Sequence, residues 1–82
     1  MNKIIAIDIG NSETTVGVGN SQNWDSYRYT TRKTITSDEL LMMFKTTIDL
    51  SKEDSELIHG AIVCSVVPQI TNSVVSAINK FS

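Results

Sequence analysis

The sequence predicts an α/β fold in which a small mixed sheet is joined by two helices, in the order β-β-β-α-β-α. Two apolar runs, residues 4–7 and 61–67, are short and have no helical period, so each predicts a buried strand. Two segments with helical spacing of apolar residues begin near residues 36 and 68. Because the first helix separates the third and fourth strands, the fourth strand can lie parallel to the first through a crossover.

Length and composition favour one small globular domain. The chain has 82 residues, of which 40% are hydrophobic and 20% are charged, as is usual for folded proteins. We therefore expect a single domain over residues 1–82 that buries roughly two-thirds of its unfolded surface and is marginally stable by itself.

Charge and cysteine content argue against several classes of partner. The formal net charge is −2 and there is no basic cluster, which argues against nucleic acid and against an anionic membrane as partners. A single cysteine, Cys64, cannot form an internal disulfide, and one histidine and one cysteine cannot build a structural zinc site. The sequence shows neither a cationic leader nor a long apolar span, so we expect a cytoplasmic location.

The first apolar run is expected to be a strand covered on both faces that stops at Asp8. Gly10 and Asn11 favour turn conformations with positive φ, and the alternating residues 15–18 predict a returning antiparallel strand. The strand would thus place a carboxylate at the mouth of a tight polar hairpin.

This hairpin has the composition of a phosphate site. Backbone N–H groups and the small hydroxyls of Ser12, Thr14 and Thr15 leave room for the close approach of a phosphate. Asp8 could hold Mg²⁺, directly or through water. An ordinary hairpin in which Asp8 bonds to its own turn explains the same spacing, so both interpretations stay open on the residues alone.

The middle of the chain predicts a third strand over residues 24–31, which completes a three-stranded antiparallel meander, and then a helix. Thr36 and Glu39 form the reciprocal capping arrangement at its start, and the helix should continue to about Leu50. Met42 and Met43 are expected to fill the core. The buried face is predicted to consist of Leu40, Phe44, Thr47 and Ile48.

The second apolar run predicts a central strand in which Cys64 is a small buried hydrophobe, with His59 on the surface at its entering end. Its far end should open beside Gly10 and Asn11. Pro68 is then predicted to start a helix whose first N–H groups lie near the phosphate site. A proline that only ends the strand and begins the helix explains this position equally well. The apolar face of this helix is predicted to contain Ile70, Val74, Ile78 and Phe81, with Val75 and Ala77 beside it.

Four segments in register resemble the type III pantothenate kinases, a branch of the superfamily of acetate and sugar kinases, Hsp70 and actin. Residues 8–12, Asp-Ile-Gly-Asn-Ser, resemble the first phosphate motif of that superfamily, and residues 27–31 are similar to Trp-Arg-Ile-Ser-Thr of the family, with Arg28 and Thr31 matching. Residues 36–39 and 65–68 resemble its Thr-x-Asp-Glu and Ser-Val-Val-Pro segments. Two departures are Arg32, where the family often has an acidic residue, and Cys64, where it has serine.

The resemblance implies part of a ribonuclease-H-like, actin-like ATPase domain, and ATP-dependent phosphorylation of pantothenate to 4′-phosphopantothenate in coenzyme A biosynthesis. It implies ATP and Mg²⁺, the latter on Asp8, and a monovalent cation, K⁺ or NH₄⁺, whose site is not in this chain. No catalytic residue is assigned, because the Gly-x-Asp segment with the catalytic base is missing. The implied cofactor-binding residues are Asp8, Ile9, Gly10, Asn11, Ser12, Glu13, Thr14 and Thr15.

Family members are longer, with two ribonuclease-H-like domains closing over ATP and pantothenate, so this chain would leave an unpaired strand edge. We expect it to associate with itself, as a homodimer for example, or with a missing carboxy-terminal portion. Two alternatives remain: a non-catalytic assembly or regulatory module of the same fold, and another kinase or ATPase of the superfamily. For Arg28, an ion pair with a neighbouring carboxylate and a direct ligand contact also stay open.

Overall fold

The computed structural model describes residues 3–52 and 58–81, and its elements follow the predicted order. The sequence of residues 51–54 also predicts a capped turn after the first helix. Ser51 does cap that helix, whereas residues 53 and 54 lie outside the described residues. The elements are β1 Lys3–Ile9, β2 Glu13–Gly19, β3 Trp24–Thr30, α1 Ser37–Leu50, β4 Ile58–Ser65 and α2 Pro68–Phe81.

The four strands form one mixed sheet in the order β3-β2-β1-β4. β1 pairs with β2, and β2 with β3, in antiparallel fashion, whereas β4 lies parallel to β1. The α/β class, the antiparallel meander and the parallel crossover are therefore confirmed.

Both helices pack on the same face of the sheet and against each other. Alternate residues of β1 and β2 point into this layer because successive side chains of a strand leave on opposite faces. The buried cluster contains Ile5, Ile7, Ile9, Val16, Val18, Ile35, Leu40, Phe44, Ile48, Val67, Ile70, Val74 and Ala77.

The opposite face of the sheet has no helix over it within the described residues, and we call it the open face. The expectation that β1 is covered on both sides is therefore wrong: Ile4 and Ala6 are half-buried and Asp8 is exposed. A continuous apolar run cannot show which face receives a helix. By register, the open face carries Ile4, Ala6, Asp8, Glu13, Thr15, Gly17, Gly19, Trp24, Ser26, Arg28, Thr30, Gly60, Ile62 and Cys64.

β4 is an edge strand of the described sheet, so its prediction as a central strand is wrong. Cys64 is exposed rather than buried, because the open face leaves its side chain uncovered. The strand also ends at Ser65, two residues earlier than expected. His59 lies exposed, as predicted.

Helix α1 confirms its predicted cap and buried face. The Thr36 hydroxyl accepts from the Glu39 amide at 3.1 Å, and the Glu39 carboxylate accepts from the Thr36 amide at 3.0 Å. All four predicted face residues are buried. Met42 is 61% exposed, so its assignment to the core is wrong, whereas Met43 is half-buried against the core.

Helix α2 begins at Pro68, as predicted, and buries Ile70 and Val74. The predicted contacts of Ile78 and Phe81 with the core are present, although both side chains are only half-buried. Of the two flanking residues, Ala77 is buried and Val75 is 50% exposed. In the described part of the chain, neither helix has the length and apolar character needed to span a membrane.

An ion pair at the start of α1 predicts an acid-dependent stability. Arg32 donates to Glu39 at 2.5 Å, and this bond, followed by those from Thr36, lowers the pKa of Glu39 from 4.5 to about 2. Because the pKa is lower in the folded state, the stabilisation is complete above pH 4.5 and is lost as the pH falls towards 2.

We expect Glu39→Gln to reduce the loss of unfolding free energy across that acid range, as measured by urea unfolding of both proteins at a series of pH values. Asp38→Asn is the control, because it removes a neighbouring exposed carboxylate that pairs with Lys80 instead of Arg32. Parallel pH profiles for the wild type and Glu39→Gln would contradict the prediction.

Candidate phosphate site at the first hairpin

Asp8 is the next-to-last residue of β1, and its exposed side chain lies on the open face. Its register partners are Thr15 on β2 and Cys64 on β4. Within the described residues, Asp8 has no hydrogen bond to its own turn. The carboxylate is therefore available to a ligand, and the predicted bond from Asp8 to its own turn is not found.

Residues 10–12 form the hairpin loop between β1 and β2. The amide of Gly10 donates to the carbonyl of Glu13 at 2.9 Å, and a methyl group added at Gly10 would lie 3.2 Å from that oxygen. Neither Gly10 nor Asn11 has a positive φ, so that expectation is wrong. The close approach of the two chain segments favours glycine here, because a larger residue would need the Glu13 carbonyl to shift by a few tenths of an ångström.

The hairpin loop has exposed backbone N–H groups at Asn11 and Ser12. In the described structure, the amides of Asn11 and Ser12 make no intramolecular hydrogen bond, and both residues are exposed. The Ser12 carbonyl is held by the Thr31 amide at 2.9 Å, which fixes the loop against the end of β3. Two amides and one hydroxyl are thus available to an anion such as phosphate.

The hydroxyls of Thr14 and Thr15 lie on opposite faces of β2. Thr14 is 4% exposed on the core side, and its Oγ1 is 2.8 Å from Oγ1 of Thr31. Thr15 is half-buried on the open face beside Asp8. Of these two hydroxyls, only that of Thr15 faces the same side as the carboxylate.

The end of β4 also reaches this hairpin loop, as its parallel pairing predicts. The amide of Val66 donates to the carbonyl of Ile9 at 3.0 Å. Ser65 Oγ accepts from the Val67 amide at 3.1 Å and donates to the Val67 carbonyl at 3.2 Å. This local turn leads directly into α2 at Pro68, so the first turn of α2 follows within two residues of the contact with β1.

A recess of about 430 Å³ lies on the open face beside Asp8. Thr15 and Cys64 flank the carboxylate at the end near the hairpin loop. Trp24, Ser26 and Ile62 line the recess further along the sheet. The sequence prediction missed this recess and the position of Cys64. The two apolar runs indicate parallel strands but not their register, which pairs Ile4 with Gly60 and so brings Cys64 beside Asp8.

Arg28 and Glu13 form an exposed ion pair on the same face. Arg28 Nη1 lies 3.7 Å from Glu13 Oε1, and the two side chains are 73% and 61% exposed. The predicted pairing with a neighbouring carboxylate is therefore found. A pair this exposed contributes about 0–1 kcal/mol, so it holds the arginine only weakly.

The residues suit Mg²⁺ only together with a phosphate ligand. Among the described residues there is no group of three or more His, Cys, Asp or Glu side chains that could hold a metal. Mg²⁺ is commonly held by one or two carboxylates together with substrate phosphates and water. Asp8, exposed next to the hairpin loop, fits that pattern.

Comparisons with known proteins identify the family. The family model for type III pantothenate kinase matches residues 4–82. Type III pantothenate kinases of Bifidobacterium animalis subsp. lactis and Agathobacter rectalis are each 38% identical over 79 residues, which is 95% of this chain but only 31% and 30% of those proteins. The chain therefore spans about a third of the length of these relatives.

A solved structure supports the fold. YeaZ from Pseudomonas aeruginosa matches with a TM-score of 0.68 over 99% of this chain and 40% of that protein, at 13% identity. This likeness concerns the fold only. From the family match and the curated relatives, this chain belongs to the type III pantothenate kinase family and corresponds to its amino-terminal portion.

Proposed function

We propose that this chain supplies the first phosphate-binding element of a kinase that transfers the γ-phosphoryl group of ATP to pantothenate, the first step towards coenzyme A. Membership of the family supports the reaction class. The observation that carries the proposal is the exposed carboxylate of Asp8 beside a hairpin loop whose Asn11 and Ser12 amides are free within the described residues.

Several residues of the hairpin would contribute to the site in different ways. Asp8 would hold Mg²⁺, directly or through water, and the amides of Asn11 and Ser12 would donate to phosphate oxygens. Thr15 offers a hydroxyl on the same face, whereas Ile9 and Gly10 contribute backbone geometry. Phosphoryl transfer depends mainly on positioning and on stabilising charge, and these groups supply both for the phosphates.

In this proposal, the catalytic residue and the monovalent-cation site belong to other parts of the longer protein. No catalytic residue is assigned here, and the monovalent cation, K⁺ or NH₄⁺, would bind elsewhere in the longer protein. The outer edge of β4 is unpaired within the described sheet, and an unpaired edge favours addition of another strand. We therefore expect self-association or binding of a carboxy-terminal portion, in the cytoplasm.

We expect Asp8→Asn to weaken Mg²⁺-dependent binding of ATP by about tenfold or more, which equals about 1.4 kcal/mol. The substitution keeps the shape of the side chain and removes the charge that holds the metal. Titration of the amide NMR spectrum with MgATP, and with ATP in the presence of a chelator, measures the change. Asp25→Asn is the matched control, because Asp25 is also exposed but lies at the far end of β3.

If the wild type shows no Mg²⁺-dependent binding, or if Asp8→Asn binds as tightly as the wild type, the proposal is wrong. A non-catalytic assembly or regulatory module would then be favoured. The unpaired edge of β4 is the observation that supports this second function. Sedimentation that shows a stable self-associated species with no affinity for nucleotide would identify it.

A further inference from the structure

The open face carries three charged side chains within the described residues, and they lie near the hairpin loop. Asp8 and Glu13 are carboxylates, and Arg28 is the single cation on this face of the described sheet. A bound triphosphate would add several negative charges beside the two carboxylates. If Asp8 holds Mg²⁺, the metal balances the phosphate charge next to Asp8. The phosphate charge next to Glu13 would still need a cation.

Register places Arg28 in the same row as the proposed metal ligand. Thr15 pairs with Arg28 on β3 and with Asp8 on β1, so the three residues form one line across the sheet. Since neighbouring strands are roughly 4.8 Å apart, the Cα atoms of Arg28 and Asp8 are separated by roughly 10 Å. An arginine side chain is long enough to cover much of that distance.

The guanidinium is already directed towards the hairpin loop. Its contact with Glu13, at 3.7 Å, holds it beside the residue that begins β2 directly after Ser12. That contact is longer than a hydrogen bond and both side chains are largely exposed, so Arg28 can exchange Glu13 for a stronger acceptor. The planar guanidinium matches two phosphate oxygens, which a lysine ammonium cannot do.

We infer that Arg28 binds a phosphate group of the ligand held at Asp8 and the hairpin loop, and that it leaves Glu13 to do so. The inference rests on the proposed function, since it needs a phosphate at that site. It assigns Arg28 as the cation that compensates the phosphate charge on the side away from the metal.

The test uses the whole chain and magnesium tripolyphosphate, which lacks a base and a sugar and so reports on phosphate contacts alone. We expect Arg28→Gln to weaken binding by about tenfold in isothermal titration, and Arg28→Lys to retain part of the affinity. Arg32→Gln is the matched control, because Arg32 is also exposed but pairs with Glu39 at the start of α1. It should change the affinity by less than about twofold.

Two further measurements separate ligand contact from a structural role. Affinity should depend less steeply on salt in Arg28→Gln than in the wild type, because one ionic contact is lost. Glu13→Gln should tighten binding several-fold, since it releases Arg28 and removes a carboxylate. A merely structural role for the ion pair would instead make Glu13→Gln and Arg28→Gln weaken binding together.

Equal affinities and equal salt dependence for Arg28→Gln and Arg32→Gln would overturn the inference. If Asp8→Asn loses binding while Arg28→Gln does not, the proposed function stands and the role of Arg28 is wrong. If the wild type binds no tripolyphosphate in the presence of Mg²⁺, both the proposed function and this inference are overturned.

Discussion

Replacing Phe44 with alanine is expected to reduce the free energy of unfolding by about 4 kcal/mol. Phe44 lies in the middle of α1 and is 1% exposed, among the largest fully buried side chains of the described structure. Its removal would leave a cavity between the helix layer and the sheet, and the surrounding side chains would collapse into it only in part.

The loss of unfolding free energy expected for Phe44→Ala is a large fraction of the total stability of a chain of this size. At about 0.05–0.15 kcal/mol per residue, a domain of this size has a free energy of unfolding of about 4–12 kcal/mol. Urea unfolding followed by circular dichroism measures the change. Met42→Ala is the control in the same helix, because Met42 is 61% exposed and its truncation should cost about 0.5 kcal/mol or less. Similar losses for the two variants would show that the core is not centred on Phe44.

Helix α1 shows which parts of the fold are readable from the sequence. Its cap depends on Thr36 and Glu39, three residues apart, and its buried face depends on spacing within fourteen residues. Both signals are local, so the same residues that carry the signal also make the contacts. The start of α2 at Pro68 was predicted for the same reason.

For the strands, local sequence predicts that each strand exists but not which strands lie beside it. The apolar runs predicted β1 and β4 as strands, but the neighbours of each strand are chosen by segments distant in sequence. Buried and exposed strands of isoleucine and valine look alike when the exposed face is itself apolar, as Ile62 illustrates at 58% exposure. This explains why β4 was predicted as central and Cys64 as buried.

The candidate site also contains some contacts that local sequence predicts and others that it does not. Asp8 and the hairpin loop follow one another in the chain, so their juxtaposition was predicted from adjacent residues and from the family resemblance. The hydroxyl contact between Thr14 and Thr31 spans 17 positions and depends on the path of β3. The position of Arg28 opposite Thr15 likewise depends on the register that the second turn imposes on β3.

The turn between β2 and β3 is where we expect the other large effect, a loss of stability on substitution of Gly19. Gly19 pairs with Trp24 at the end of the β2–β3 hairpin, and the turn is closed by an Asn20 amide that donates to the Asn23 carbonyl at 3.0 Å. Asn20 Oδ1 also accepts from the amides of Gln22 and Asn23, at 2.9 and 3.0 Å. These bonds leave the backbone of the turn little freedom to move.

A methyl group at Gly19 would overlap the carbonyl oxygen of Asn23 and lie 2.9 Å from Cα of Trp24, and both atoms belong to the backbone. Since backbone cannot move aside as a flexible side chain can, we expect Gly19→Ala to destabilise the protein by about 3 kcal/mol. Gly17→Ala is the control on the same strand, because its added methyl group would meet only ordinary contacts at 3.5 Å. That variant should change stability by about 1 kcal/mol or less.

Urea unfolding of both variants measures the difference, and the fluorescence of Trp24, the single tryptophan, reports on the turn itself. If Gly19→Ala shifts β3 along β2, Arg28 moves out of the row that contains Thr15 and Asp8. The folded fraction of that variant should then lose phosphate affinity as Arg28→Gln does, while Gly17→Ala binds normally. Equal stability of the two glycine variants would contradict the tight turn, and with it the register that places Arg28 near the hairpin loop.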